Sequence, residues 1–172
     1  EMVSDLSFTD SSKGCVLSYI TAENGRLVTK VSKIVFTESS ELWNSPGINT
    51  LGLEVYGFSD GAFVLGMEAC GYVDGNGQIS SYDGDLAAGA SSGGMSAVAI
   101  NNDDRRKYVL ALFKSGGSEP LIVDLEAPSV DVIVFDELAY VLCQGKILAY
   151  DFSGGLRSTA DVNDSYTGFE RS

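Results

Sequence analysis

The side chains that could do chemistry in this chain are carboxylates, because the sequence contains no histidine. Histidine-based catalytic triads, zinc sites with imidazole ligands and a histidine proton switch near neutral pH are therefore excluded. Adjacent acids occur at Asp103-Asp104 and Asp136-Glu137, but acidic pairs in turns are usually solvated and seldom divide the roles of general acid and base. The sequence therefore predicts a protein that is not an enzyme.

The balance of charges limits the partners of the chain. Eleven lysines and arginines stand against 24 aspartates and glutamates, which gives a formal net charge of −13. This charge repels nucleic-acid phosphates and anionic lipid surfaces. The apolar runs are also shorter than the roughly 18 residues of a membrane-spanning helix. No nucleic-acid partner and no membrane partner are expected.

Three cysteines, Cys15, Cys70 and Cys143, lie in or beside apolar runs at wide spacing. An odd number without a Cys-x-x-Cys pair predicts buried free thiols rather than a disulfide framework. Such cysteines fit a reducing compartment, or a virion assembled in one. The chain begins at Glu1, so a signal sequence that has been removed is compatible with it, and the localisation is left open.

Short apolar runs separated by Gly, Asn, Asp and Ser are typical of strands and tight turns. Asn24-Gly25 predicts a hairpin turn, because both residue types tolerate a positive φ. Asn102–Phe113 and Asp136–Gly145 also fit short helices, but their apolar runs favour strands. The Gly-rich stretch Gly84–Met95 predicts a flexible connector. The chain is thus predicted to be all-β.

A triplet of an aromatic residue or cysteine, then Val-Leu, occurs at Cys15–Leu17, Phe63–Leu65, Tyr108–Leu110 and Tyr140–Leu142. Ala139–Gly155 reads as a strand, a Gly turn and a strand ending at Asp151 before a Gly pair, which resembles the quinoprotein-type repeats of β-propellers. The resemblance implies a propeller-like meander of short blades. An antiparallel β-sandwich or barrel would contain the same triplets, so these folds stay open.

Oxygen-bearing side chains recur at short spacing within Tyr72–Asp83, at Asp74, Asn76, Ser80 and Asp83. The segment is similar to the calcium loop of EF-hands and dockerins, and this similarity implies that these four residues ligate calcium. The first ligand position holds Tyr72 instead of Asp, and a hairpin turn at Asp74–Gly77 is the alternative interpretation. Apart from this calcium, the sequence predicts no cofactor.

The whole chain, 1–172, is predicted to form a single β-rich domain with polar arms at about 1–13 and 156–172. Trp43, Tyr166 and Phe169 lie in expected loops and are candidate interface anchors, because exposed aromatic side chains often anchor protein contacts.

Edge strands and polar arms favour a non-enzymatic structural or interaction protein that works in a larger assembly, for example as a phage or viral virion component. Its partners would be protein subunits in a homo- or hetero-oligomer. A carbohydrate- or calcium-binding β module is the first alternative. A histidine-independent hydrolase that uses carboxylates is the second.

Overall fold

A computed structural model of the chain describes residues 2–9, 13–36, 40–58, 61–67, 69–114, 120–163, 165 and 167–169. All regular secondary structure in these residues is β-strand, which confirms the all-β prediction. None of them forms a helix that is long and apolar enough to cross a membrane.

Sixteen strands in this part of the chain form four antiparallel sheets of four strands each. The first sheet contains β1 (Met2–Phe8), β2 (Gly14–Glu23), β3 (Arg26–Val35) and β4 (Ser40–Asn44). The second contains β5 (Gly52–Phe58), β6 (Gly61–Gly66), β7 (Ala69–Asp74) and β8 (Ile79–Asp83). The third contains β9 (Asp85–Ser92), β10 (Met95–Asn102), β11 (Lys107–Lys114) and β12 (Leu121–Leu125). The fourth contains β13 (Ser129–Phe135), β14 (Leu138–Cys143), β15 (Lys146–Asp151) and β16 (Leu156–Asp161).

Each sheet is built from one contiguous stretch of chain, and its strands pair in chain order. This organisation matches the propeller-like alternative, because a propeller blade is a local four-stranded meander whereas sandwiches use Greek-key connections between two sheets. The chain divides into two compact units, Glu1–Gly84 with the first two sheets and Asp85–Ser172 with the last two. A single domain across both units stays a prediction.

The segments predicted as polar arms contain strands. β1 pairs with β2 along its length, and β16 pairs with β15. Both are edge strands of their sheets, and all six residues of β16 are exposed. Because an edge strand has neighbours on one side only, its sequence can be polar and still pair.

In the first unit, β1 and β2 pack against β5. The shared core contains Val16 and Val31 from the first sheet, Val55, Val64 and Val73 from the second, and Ile48 from the connection between them. Gly71 allows close approach, since a Cβ there would lie 2.9 Å from Ile48 Cδ1. Successive side chains of a strand point to opposite faces of its sheet, so these valines lie on one face of each sheet. The two sheets therefore pack face to face.

Polar side chains join the same two sheets. Asp5 Oδ2 accepts a hydrogen bond from the Val55 amide at 2.8 Å, and Ser7 Oγ accepts one from the Gly57 amide at 3.1 Å. The fully buried Thr29 hydroxyl donates to the carbonyl of Thr50 at 2.7 Å and accepts from the Gly52 amide at 2.7 Å. These bonds satisfy backbone groups that the ladders of the second sheet leave free.

In the second unit, β9 and β10 pack against β13. The shared core is made by small and branched side chains, namely Ala97, Ala99, Leu110 and Leu112 from the third sheet and Val132, Ala139 and Val141 from the fourth. The side chain of Asn101 links the two sheets. Its Nδ2 donates a hydrogen bond to the Ser129 carbonyl at 3.0 Å, and its Oδ1 accepts one from the backbone amide of Ser129 at 3.1 Å. In each unit, therefore, two sheets share an apolar contact and are also linked by hydrogen bonds between side chains and backbone groups.

The prediction of a flexible connector at Gly84–Met95 is wrong for most of that stretch. Its residues form β9 and a tight turn in which Gly93 and Gly94 adopt φ values of +58° and +76°. Ala88 and Ala90 pair across the ladder with Ala99 and Ala97. Small side chains thus serve a close sheet contact rather than flexibility.

The structure also explains the uneven steps between the Val-Leu triplets. Three triplets lie in the second strand of a sheet, namely in β2, β6 and β14, whereas Tyr108–Leu110 lies in β11, the third strand of its sheet. Asn102–Phe113 is a hairpin that ends in β11 rather than a helix, which confirms the strand prediction there. All four triplets thus lie in interior strands of their sheets, where apolar residues are favoured.

The turn at Asp136-Glu137 offers a test of turn chemistry. Both residues adopt positive φ, +49° and +60°, in a two-residue connection between β13 and β14. Asn24-Gly25 adopts similar values, +52° and +77°, as predicted. Replacing Asp136→Asn and Glu137→Gly should raise the free energy of unfolding by about 1 kcal/mol, because glycine has no steric penalty at positive φ.

The measurement is urea unfolding followed by circular dichroism. The reverse change, Gly25→Glu, is the matched control and should lower the free energy of unfolding by a similar amount. A Cβ at Gly25 would have no neighbour within 4 Å, so the loss would come from the positive φ and not from a steric clash. A graft that leaves stability unchanged or lowers it would show that this turn carries no strain.

Candidate functional site

The segment predicted as a calcium loop is a hairpin turn between β7 and β8. Asp74 Oδ1 accepts hydrogen bonds from the amides of Asn76 and Gln78, both at 2.8 Å, and Gly77 has a φ of +77°. The carboxylate is thereby used by its own turn. The EF-hand and dockerin resemblance has no support here, because no described helix flanks the loop.

The other predicted calcium ligands do not complete a site. Ser80 pairs with Tyr72 in the ladder of β7 and β8, so a strand begins where a ligand loop would continue. The backbone of Asp83 ends β8, and its side chain lies outside the described part of the structure. Among the described residues, no three His, Cys, Asp or Glu side chains lie close enough together to hold a metal ion. Calcium binding stays a prediction without structural support.

The same turn recurs at the corresponding place in the fourth sheet, between β15 and β16. Asp151 Oδ1 accepts from the amides of Ser153 at 2.8 Å and Gly155 at 2.9 Å, and from the Ser153 hydroxyl at 2.6 Å. Arg157 Nη2 lies 2.5 Å from Asp151 Oδ2. The Ser153 hydroxyl and the Gly155 amide hold the pKa of Asp151 well below its usual range. Asp at these two turns is therefore structural.

The predicted interface aromatics are only partly described. The backbone of Trp43 lies in β4 and not in a loop, while its side chain lies outside the described residues, as does all of Tyr166. Phe169 is half-buried, and its amide donates to Asp131 Oδ2 at 2.7 Å. An interface role for these three residues stays a prediction.

All three cysteines are buried free thiols, as predicted. Burial raises the pKa of Cys70 to about 11 and also raises the pKa of Cys143. Both are protonated at neutral pH, so they do not act as nucleophiles there.

Gly89–Gly93 has the Gly-x-Ser-x-Gly spacing of a hydrolase nucleophile elbow, which requires a strand, a sharp turn and a helix. Here Ser91 lies within β9, where it pairs with Ser96. With no histidine in the chain and no described helix after the turn, the geometry of an elbow is absent.

The second unit has a concave surface that combines charged and apolar side chains. A groove of about 430 Å³ runs beside β12 of the third sheet and faces β14, β15 and β16 of the fourth. We call this surface the outer groove. The residues that carry its chemistry are Asp124, Glu126, Lys146, Leu148, Tyr150 and Leu156.

Tyr150 lines the outer groove, and only 8% of its surface is exposed. Burial raises the pKa of Tyr150, and the charge of Cys143, which this thiol carries only at high pH, and that of Glu126 raise it further. The hydroxyl thus stays protonated and can donate or accept a hydrogen bond.

A smaller cavity of about 300 Å³ in the first unit is lined by Leu27, Asn49, Thr50, Leu51 and Met67. None of these five residues carries a charge, whereas Asp124, Glu126 and Lys146 line the outer groove. The outer groove is therefore the better candidate for a specific site, since binding sites combine apolar walls with a few placed polar groups.

Sequence reasoning missed the outer groove. Its acids lie in 124–126, its lysine and tyrosine in 146–150, and no short motif links the two segments. The sequence predicts each segment as a strand on its own, and only the fold places the two segments beside the same groove.

Comparison with known proteins supports the fold. No protein-family model matches the sequence, and no curated protein matches it. Among solved structures, the chain is similar to BamB from Moraxella catarrhalis, with a TM-score of 0.56 and 11% identity over 96% of this chain and 54% of that one. It is similar to the computationally designed Ika4 protein, with a TM-score of 0.53 and 9% identity over 95% of this chain and 92% of that one.

The WD40 domain of Neurospora crassa Pan2 is also similar, with a TM-score of 0.50 and 11% identity over 87% of this chain and 49% of that one. The chain thus spans about half the length of the BamB and Pan2 structures. WD40 repeats build β-propeller blades. The likeness supports the propeller-like alternative, and at these identities it shows the fold alone.

The low pKa of Asp151 makes the stability of the second unit depend on pH. Because folding lowers this pKa below about 3.9, the carboxylate stabilises the fold above that pH and loses its contribution as the pH falls from about 5 toward 2. Asp151→Asn should therefore lower the melting temperature at pH 7 and have a smaller effect at pH 3. Melting curves of both proteins across this range are the measurement, and a constant difference would contradict the assignment.

The position of Tyr150 predicts a spectroscopic signature. Ultraviolet difference titration of the wild type against Tyr150→Phe should show a phenol that ionises above the usual value of about 10. Glu126→Gln should move that step to lower pH, because it removes a negative charge that opposes the phenolate. If Glu126→Gln leaves the ionisation of Tyr150 unchanged, the two side chains are too far apart to interact.

Proposed function

We propose that this chain is a non-enzymatic interaction module of propeller-like fold that works in an assembly by binding protein, with a second copy of itself as the first partner. The observation that carries the proposal is the exposed apolar face of the first sheet. The sequence prediction of a phage or virion component stays a prediction.

The alternation of β1 defines this face. Asp5 and Ser7 point toward β5 of the second sheet, because they hydrogen-bond its amides. Leu6 and Phe8 therefore lie on the opposite side of the strand. They are 47% and 63% exposed, and Phe8 stacks edge-on against Phe36, which is itself 49% exposed, with ring centroids 6.3 Å apart.

The fourth sheet has a comparable face. Val132 and Val134 of β13 pack toward the third sheet, so Ile133 and Phe135 lie on the other side. Phe135 is 68% exposed, and Ile133 is paired with the half-buried Tyr140. Contiguous exposed apolar surface of this kind marks interaction sites.

The partner of these exposed apolar faces is a second copy, because the sheet contacts within each unit show what an apolar sheet face of this chain packs against. Within each unit, a sheet face of Val, Ile, Leu and Ala buries itself on another sheet face. The exposed faces of the first and fourth sheets are also apolar, with Leu6, Phe8 and Phe36 on one and Ile133 and Phe135 on the other, so each offers a surface that can be buried in the same way.

Sedimentation analysis of the full chain over a range of concentrations tests the proposal. The wild type should be heavier than a single chain, and Phe8→Ser combined with Phe36→Ser should shift it to the mass of one chain. Leu27→Ser is the matched control, because Leu27 is 59% exposed but lies on the side of β3 that carries Val31, away from this face. It should leave the mass unchanged.

A wild type that stays at the mass of one chain at every concentration would contradict the proposal. So would a paired phenylalanine variant that associates as strongly as the wild type.

A further inference from the structure

Asp131 in the fourth sheet holds the same position as Asp5 in the first sheet. Each lies in the first strand of its sheet, directly after an irregularity in the ladder to the second strand, which follows Val3 in β1 and Ser129 in β13. Asp5 points toward the second sheet, which comes next along the chain. Asp131 points away from the third sheet, because its neighbour Val132 packs on that sheet. Both carboxylates therefore lie on the face that a following sheet would cover.

The two carboxylates also accept the same kind of hydrogen bond. Asp5 Oδ2 accepts one from the amide of Val55 at 2.8 Å, and Val55 lies in β5, the first strand of the next sheet. Asp131 Oδ2 accepts one from the amide of Phe169 at 2.7 Å, and Phe169 lies beyond β16, the last strand of the fourth sheet. The segment 167–169 thus takes, on the fourth sheet, the place that a first strand takes on the first sheet.

β1 has backbone amides that are oriented to reach such an acceptor. The amide of Thr9 donates to the carbonyl of Gly14 at 3.0 Å, on the side of β2. In an antiparallel pair the amides of alternate residues point to the same side, so those of Leu6 and Phe8 point away from β2. The amides of β5 with this orientation are the ones that Asp5 and Ser7 accept. Because β1 is an edge strand, its outward amides are placed to meet an acceptor from a second molecule.

Apolar side chains border both the acceptor and these amides. Ile133 and Phe135 lie on the same side of β13 as Asp131, since Val132 and Val134 pack toward the third sheet. The side chains of the outward residues of β1 are exposed on the first sheet. The internal contact between the first and second sheets has the same composition, namely an acid that accepts a backbone hydrogen bond beside an apolar sheet contact.

We propose that copies of this chain associate head to tail. The fourth sheet of one copy receives β1 of a second copy, whose Leu6 amide takes the place of the Phe169 amide at Asp131. This inference rests on the proposed self-association and names the surfaces that meet in it. Because the segment 167–169 uses the same carboxylate oxygen, it has to leave before β1 can bind. The segment therefore competes with the second copy.

Cross-linking of two cysteine variants in one mixture tests this arrangement. Leu6→Cys places a thiol on the exposed face of the first sheet, Ile133→Cys places one beside Asp131, and the three native cysteines are buried. One variant carries a heavy nitrogen isotope, so that mass spectrometry distinguishes mixed from like pairs after reaction with a short bismaleimide. Mixed pairs should be the main product at concentrations where the wild type is heavier than one chain.

The matched control replaces Leu6→Cys by Leu27→Cys in the same mixture. Leu27 is 59% exposed and also belongs to the first sheet, but it lies on the side of β3 that carries Val31. It should give no mixed product with Ile133→Cys.

Gly168→Val tests the competition by the segment 167–169. A Cβ at Gly168 would lie 3.1 Å from Asp131 Oδ2, which is closer than an ordinary contact, so the added side chain should loosen the bond to Phe169. Sedimentation should then show association at about fivefold lower concentration than for the wild type, the size expected for one hydrogen bond. Thr167→Val is the matched control, because Thr167 is exposed, and it should leave that concentration unchanged.

The outcomes separate this inference from the proposal on which it rests. Like pairs as the main product, or no cross-link in a mixture that associates, would overturn the head-to-tail arrangement and leave self-association intact. A Gly168→Val protein that associates no more readily than the wild type would overturn the competition. A wild type that stays at the mass of one chain would contradict the proposed function itself.

Discussion

The free backbone edge of a sheet is the constraint on which each unit depends. A first strand such as β5 pairs on one side only, and its outward amides must find acceptors when a second sheet packs against it. Asp5 and Ser7 supply those acceptors to Val55 and Gly57. Once the edge is satisfied, the two faces of valine can meet without trapping unpaired polar groups.

The second unit solves the same problem with different residues. Asn101 donates to and accepts from the backbone of Ser129, where β13 begins. Its oxygen also lies 3.2 Å from the Ser129 hydroxyl. Hydrogen bonds of this kind contribute about 1 kcal/mol each, but a buried backbone group left without a partner costs more. These joints therefore decide where the next sheet begins.

The surfaces described as candidate sites are those that this packing leaves exposed. Face-to-face packing uses one face of the first sheet and one of the fourth within their units, so their other faces show Phe8 and Phe135. The outer groove arises where β12 and β16, the edge strands of two packed sheets, border the same depression.

The strands that could be predicted from the sequence are those with an apolar run, and they include edge strands such as β12 and β13 as well as interior ones. β6, β10, β11, β14 and β15 are apolar on one or both faces, and their runs are visible without a structure. The strands that were not predicted are β1, β4, β9 and β16. All four are edge strands, which pair with one neighbour only and tolerate polar or small residues.

Sites were harder to predict than strands. Asp74 looked like a calcium ligand because Asx turns and calcium loops use the same residues at similar spacing, and only the hydrogen bonds to Asn76 and Gln78 separate them. The outer groove could not be predicted, since Glu126 and Tyr150 meet only after two sheets have packed.

Amide hydrogen exchange at Val55 and Gly57 tests the central claim most directly. If Asp5 and Ser7 close the edge of β5, these two amides should exchange as slowly as those of the interior strand β6, and Asp5→Ala or Ser7→Ala should speed up the exchange of the amide it serves. Exchange in the wild type as fast as on the free edge of β16 would contradict the account, because the edge would then be open to water.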